Sequence, residues 1–253
     1  MGRRHYDLAL EIASFPLLVI CWQVLAMILA NRLFPTPVTV AADLWAQLTH
    51  GKLLSDMSKT MSRVVISFSV AMTVGTALGI ALGRIRWLDR LFSPWLVVGM
   101  NLPAVVVAIV LYIWLGLTER ALLLAVIANK VPLVTVTIRE GVRSFSSDFD
   151  ELAVAYRLPL GSRLRQIALP QLMPFLFAAA RTGLSLIWKI VLVFELLGSD
   201  GGVGFRISIF FQLFDTGDIL AYSVAFVLVV LAIEYLLLRP IEHRVMRWRP
   251  ALQ

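Results

Sequence analysis

Six apolar stretches divide the chain, at about residues 12–34, 61–83, 91–115, 121–138, 175–197 and 219–238. Each approaches the roughly 20 residues that a helix needs to cross a bilayer, so the pattern predicts about six transmembrane helices and an all-α membrane protein. Between the first two, Val40, Leu44 and Leu48 recur every fourth position among polar residues, which predicts a short helix at the membrane surface. The second stretch carries Ser67, Ala71, Gly75, Gly79 and Gly83 at the same interval, a row of small residues that lets a neighbouring backbone come close. The third is interrupted by Asn101-Leu102-Pro103, and the fourth has Pro132 after Asn129-Lys130. Proline removes a backbone donor, and such breaks either line a cavity or are ordinary kinks.

Composition sharpens this picture. Hydrophobic residues make up 59% and charged residues 15% of the 253, and the mean hydropathy is +0.84, which excludes a water-soluble fold. The longest gap between stretches, residues 139–174, is too short for an independent soluble domain, so residues 1–253 read as one domain. A net charge of +7 invites a nucleic-acid reading, but position argues against it. With the amino terminus inside, most of the 23 Lys and Arg, including Arg84, Arg86, Arg90, Arg139, Arg143 and Arg244, fall on inner segments. Arg32, Lys52, Lys59, Arg63, Arg120 and Arg206 fall outside. The positive-inside rule then puts both termini in the cytoplasm, in agreement with an even number of spans. The first stretch reads as a retained anchor and not a cleaved signal. Cys21, the one cysteine, permits no intrachain disulfide.

The loop of residues 146–174 is the most specific segment. Asp148 followed by Glu151 is a capping pattern, and Phe149, Leu152, Ala153 and Tyr156 continue at helical spacing. The helix should stop before Pro159, with a turn over Pro159-Leu160-Gly161-Ser162. A second short helix should carry Leu164, Ile167 and Ala168 on one side, expose Arg163 and Arg165, and end at Leu169-Pro170. Strung between two spans, this pair is held against the bilayer and away from DNA. It is either a solvated amphipathic loop or a docking knob, and two apolar stripes that a lone loop cannot bury favour docking.

These residues resemble a known family. Glu151-Leu152-Ala153, Gly161, Ile167, Leu169 and Pro170 look like the EAA loop of bacterial ABC importer permeases. Gly141, Pro174, Arg181, Trp188 and Glu195 extend the likeness to the nitrate, taurine and aliphatic-sulfonate importer group, over about residues 34–250. The resemblance implies a type I importer permease-like bundle in the bacterial inner membrane, with its core over residues 59–239. It implies a second permease copy, two copies of an ATP-binding subunit that binds ATP and Mg, and a periplasmic substrate-binding protein. It assigns coupling to the ATPase to Glu151, Ala153, Arg157, Gly161, Ile167, Leu169 and Pro170. One position departs: the family's usual glycine, six residues after the glutamate, is Arg157, so the bend is expected at Pro159 and Gly161 instead. The chain has no phosphate-binding loop, since Gly51-Lys52 is followed by leucine, so no cofactor is expected in it. Residues 198–204 are glycine-rich and read as a flexible turn. His5, His50 and His243 are scattered, and no metal site is indicated.

Lys130, Lys189 and Glu195 fall inside spans, at a cost of roughly 2.5–3.5 kcal/mol each near a helix centre. Three readings stand open: a Lys130–Glu195 pair across the bundle, lysines that attract an anionic substrate, and lysines that snorkel to an interface. The candidate translocation path is Asn101, Lys130, Trp188, Lys189 and Glu195. Asp200, Asp215 and Asp218 are either solvated or touch a delivery protein. Residues 239–253 read as a basic helix on the membrane lipid surface. The function expected is that of a permease for a small anionic solute, without enzymatic chemistry of its own. The competing expectation is an ion-coupled carrier in which Lys130, Lys189, Glu195 and Glu234 relay protons.

Overall fold

The computed structural model describes residues 2–31, 33–145 and 156–240. Glu151 and Ala153, with most of the first predicted loop helix, lie outside the described residues, as do residues 241–253 of the basic tail. In the described parts the chain is helical. The helices are α1 (Gly2–Leu29), α2 (Pro37–Thr49), α3 (Leu53–Arg84), α4 (Arg86–Asn101), α5 (Ala104–Leu115), α6 (Glu119–Arg143) and α7 (Leu160–Arg163). A π-helical turn, Leu164–Ala168, joins α7 to α8 (Leu169–Leu197), and α9 (Val203–Gln212) and α10 (Thr216–Ile233) complete the bundle. Four helices are long and apolar enough to span a membrane by themselves: α3, α6, α10 with its extension, and the run from Leu160 to Leu197.

The expected third span is not one helix. Leu102 and Pro103 are extended, and α4 and α5 meet at a bend of 96°, so the pair counts at most as one broken span. The cause is local: Pro103 has no N–H to donate and pushes Leu102 out of the helical region. α1, 28 residues long, covers most of the first apolar stretch of the sequence.

The row of small residues on α3 is where the core is built. A Cβ on Gly75 would stand 2.6 Å from Val134 Cβ, one on Gly79 2.7 Å from Ile138 Cβ, and one on Gly83 2.7 Å from Val142 Cβ. Residue numbers on both helices climb together, so α3 and α6 run parallel in close backbone contact, the most extensive helix pairing in the fold. α4 runs antiparallel to α6. Arg139 Nη1 donates to Asp89 Oδ1 at 3.1 Å near one end, and Gly99 abuts Pro132 ten residues further along α4. α8 packs Leu172 and Ala179 against the seam residues Val134, Ile138 and Val142, and Leu184, Ile187, Trp188, Val191 and Phe194 into a second core with Val64 of α3 and Leu122 and Val126 of α6. The predicted surface helix is α2, opened by Thr36, whose Oγ1 accepts from Thr39 N at 3.2 Å. Its Val40 is buried, and Gln47 Nε2 donates to Asp218 Oδ2 on α10 at 2.9 Å.

The seam predicts its own test. Gly79→Ala sets a methyl 2.7 Å from both Ile138 Cβ and the Thr135 carbonyl, an overpacking that costs about 1–3 kcal/mol. Gly161→Ala meets nothing within 4 Å. Thermal unfolding in detergent, followed by tryptophan fluorescence, should show a lowered midpoint for the first variant and an unchanged one for the second. Equal midpoints would count against the seam as the packing centre.

Candidate functional site

Two regions carry chemistry, at opposite ends of the bundle. At the end where α3 and α6 begin, Arg63 on α3 is 1% exposed. All five of its N–H donors are used. Nη1 donates to Glu195 Oε1 at 2.8 Å and to the Gly201 carbonyl at 2.6 Å. Nε and Nη2 donate to the two oxygens of Glu119 at 3.1 and 2.8 Å, and Nη2 also to Asp200 Oδ1 at 3.0 Å. Glu195, fully buried, accepts in addition from Thr60 Oγ1 at 2.9 Å and from the Gly204 amide at 2.9 Å. Thr60 Oγ1 accepts from Val203 N at 2.8 Å. Beside it, Asp56 accepts from the Gly202 amide, from Arg206 Nε at 3.0 Å and from the Tyr222 hydroxyl at 3.2 Å.

This cluster corrects two expectations and refines a third. Arg63, counted by its position among the outer-segment charges, is buried within the protein, because Glu195, Glu119 and Asp200 surround it. The pairing of Glu195 with Lys130 is not formed, since Arg63 takes that carboxylate. Residues 198–204 are not a free turn: Gly201 to Gly204 are buried, and three consecutive amides, those of Gly202, Val203 and Gly204, donate to side chains of α3 and α8. Gly202, at φ +103, holds a conformation that favours glycine, and a Cβ there would collide with the Glu195 carboxylate. Asp215 and Asp218 also hold structure: Asp215 Oδ1 caps α10 by accepting from Asp218 N at 3.2 Å. Nearby on α2, burial and the neighbouring Asp215 push the Asp43 carboxyl above its ordinary range.

Of the expected path residues, Trp188 is packed edge-on against Phe226 at 6.2 Å, and Glu195 is locked as described. Asn101 is exposed at the α4–α5 break, its Nδ2 donating to the Val97 carbonyl at 2.8 Å. Lys130 is 4% exposed, and no acceptor among the described residues meets it. Gly99 against Pro132 puts the Lys130 turn of α6 at the level of that break. Lys189 is exposed on α8. Glu234 lies 3.5 Å from Arg181 and Glu195 pairs with Arg63, so both carboxylates of the expected relay are met by arginines.

The other end carries the loop. The turn sits at Tyr156 and Arg157, earlier than expected: Pro159 caps α7, and Leu160 and Gly161 are already helical. Arg157 has φ +46, in the left-handed region. The bend therefore stays where the family pattern has its glycine, and arginine adopts the glycine-like conformation there. The second helix does not end at Leu169-Pro170. Pro170 lacks the N–H of an interior helical residue, and the chain widens into the π turn Leu164–Ala168 just before it and runs on into α8. Ile167 is half-buried, while Tyr156, Leu160 and Leu164 are 75%, 77% and 55% exposed. Beside them an apolar groove of about 420 Å³ is lined by Ile80, Val142, Phe145, Leu164 and Leu172, with Arg84 and Arg165 at its edge.

Residues 71–239 match the family described as binding-protein-dependent transport system inner membrane component. The chain belongs to that family. This permease is 30% identical to the riboflavin transport system permease protein of Chloroflexus aurantiacus, over 92% of this chain and 87% of that one. It is 23% identical to the putative aliphatic sulfonates transport permease protein of Bacillus subtilis (98% and 90% covered). It is 24% identical to the nitrate import permease protein of Synechococcus elongatus (78% and 74%). Its fold matches a chain from the crystal structure of an amino acid ABC transporter with histidines, at TM-score 0.64 and 15% identity, over 79% of this chain and 98% of that one. The permease is thus a non-enzymatic inner-membrane subunit of an ABC transport system, which works with an ATPase and a binding protein.

Removing half of the buried ion pair should be worse than neutralising both halves. Arg63→Met leaves Glu195 charged and buried without its cation, a loss of about 3–5 kcal/mol. Arg63→Met with Glu195→Gln removes both charges and keeps an acceptor for Thr60 and Gly204, so it should recover part of that loss. Detergent-solubilised unfolding of the single and double variants measures this, and additive losses would argue against the coupling.

Proposed function

We propose that this permease imports a small anionic solute as a pair of copies above two ATPase subunits, with the loop end in the cytoplasm, where each loop seats on an ATPase. Exposed Tyr156, Leu160 and Leu164, next to the apolar groove, carry the docking reading, because apolar side chains presented together in water call for a partner surface. ATP and Mg are bound by those subunits. The binding protein meets the opposite end, near the exposed acids Glu119 and Asp200. Resemblance assigns coupling to Glu151, Ala153, Arg157, Gly161, Ile167, Leu169 and Pro170, and the left-handed Arg157 and the helical run from Leu160 support their reading as a bend and the rod beyond it.

The anion reading rests on charge. Glu195 is already paired, so Lys130 and Lys189 stand in or on the bundle without a protein counter-ion among the described residues. An uncompensated ammonium at membrane depth is costly unless a substrate or water meets it. Two of the relatives above are named for nitrate and aliphatic sulfonates, which fits; the one named for riboflavin does not decide the class.

Proteoliposomes containing the permease and its ATPase should take up the solute only with ATP inside the assembly, and permease alone should take up none. Glu151→Lys should reduce co-purification of the ATPase about tenfold or more while leaving membrane abundance unchanged. Arg157→Gly should preserve coupling, since glycine suits φ +46, whereas Arg157→Val should weaken it. ATP-independent uptake, or full association by Glu151→Lys, would overturn the docking assignment.

A further inference from the structure

The buried face of α8 is apolar, and the face turned away from the protomer carries a polar stretch, flanked by the exposed apolar side chains of Leu186, Val193 and Leu196. Ala178, Thr182, Ser185 and Lys189 recur at intervals of three or four and are all exposed, on the side opposite Leu184, Ile187, Trp188 and Val191. Other spans turn apolar side chains outward: Val227, Leu228 and Leu231 on α10, and Val106, Ile109 and Ile113 on α5. On α3 the exposed Thr73 Oγ1 folds back on its own helix, to the Ser69 carbonyl at 2.8 Å. Those of Thr182 and Ser185 make no hydrogen bond among the described residues. Lipid offers neither a hydroxyl nor an ammonium a partner.

Snorkelling does not relieve Lys189. It lies eight residues from the end of α8 at Leu197, about 12 Å at the helical rise. Side chains lean toward the helix N-terminus, so its stem points away from that nearer end and toward the middle of the span. We propose that Thr182, Ser185 and Lys189 form one wall of a water-filled passage whose other wall is a second copy of this chain, and that Lys189 receives the anionic oxygen atoms of the solute there. The inference rests on the importer and anion readings, and it names the helix face and the side chain that contacts the solute.

The lone cysteine makes the test direct. In a Cys21→Ala background, Ser185→Cys is assembled with its ATPase and binding protein in proteoliposomes and exposed, with and without ATP, to an anionic sulfonatoethyl and a cationic trimethylammonioethyl thiosulfonate. Leu228→Cys serves as the lipid-facing control. Co-purification of each variant with its ATPase confirms assembly. Ser185→Cys should be modified and Leu228→Cys should not, and, relative to a free thiol, the anionic reagent should be favoured about tenfold. Lys189→Met should abolish that preference and Lys189→Arg should keep it. Protection of Ser185→Cys from both reagents, or modification indifferent to charge, would overturn the proposal. If wild-type importer takes up neither nitrate nor methanesulfonate while the Lys189-dependent preference persists, the passage wall stands and the choice of substrate class falls.

Discussion

Placing a carboxylate in the interior of a helical bundle is tolerable only where a cation and enough donors meet it. Glu195 is met by Arg63, Thr60 and the Gly204 amide, and nearly everything at that end of the molecule follows from this. Because Arg63 also reaches Glu119 and Asp200, the guanidinium joins α3 to the start of α6 and to the loop after α8. Once the glycine loop donates its amides to Thr60, Glu195 and Asp56, the start of α9 has no freedom left. Arg206 and Tyr222 then extend the same cluster to α10 through Asp56. The glycines are required because the backbone itself is a ligand of the carboxylates: a Cβ on Gly202 would collide with the Glu195 carboxylate, and one on Gly204 with the Leu192 carbonyl of α8.

What could be read in advance was what depends on local pattern. Four of the apolar stretches became single long helices, and the small-residue row on α3 became the α3–α6 seam. The failures share a cause. Arg63 looked like a flanking charge because its partners lie 56, 132 and 137 residues away, and no local periodicity reports such a separation. One signal was available: Asp56, Thr60 and Arg63 lie at intervals of four and three, a polar stripe on the same helix face as Ser67. Likewise the buried amides of residues 202–204 mimic a flexible turn in sequence, since a tight anion cradle and a linker both use glycine.

The two ends of the permease are therefore built on opposite principles. One is closed by ion pairs that satisfy each other within the chain. At the other, Asp89 joins Arg139 and Arg143, but apolar residues of the loop stay in solvent. A bundle clamped at one end and incomplete at the other can pivot about the clamp when a partner occupies the open end. The 96° break between α4 and α5 lies between them, at the level of Lys130, where the backbone is least held by its own helix.

On the proposed reading, the route from loop to passage is unusually short in covalent terms. From Leu160 to Leu197 the chain is helical throughout, interrupted only by a π turn and by Pro170 and Pro174, so the groups presented to a partner and the wall containing Lys189 belong to one rod. Pro170 and Pro174 leave the carbonyls of Gln166 and Pro170 without their usual helical donors, which loosens the first turns while the rest of α8 stays stiff. A push at Leu160 would thus be taken up partly by bending at these turns and partly by rotation of α8 about its anchored end at Glu195. Rotation is the component that moves Ser185 and Lys189 relative to a second copy, because they project from the face opposite the packed core. The clamp at Arg63 is needed for this: without a fixed far end, the same push would translate the helix and leave its polar face where it began.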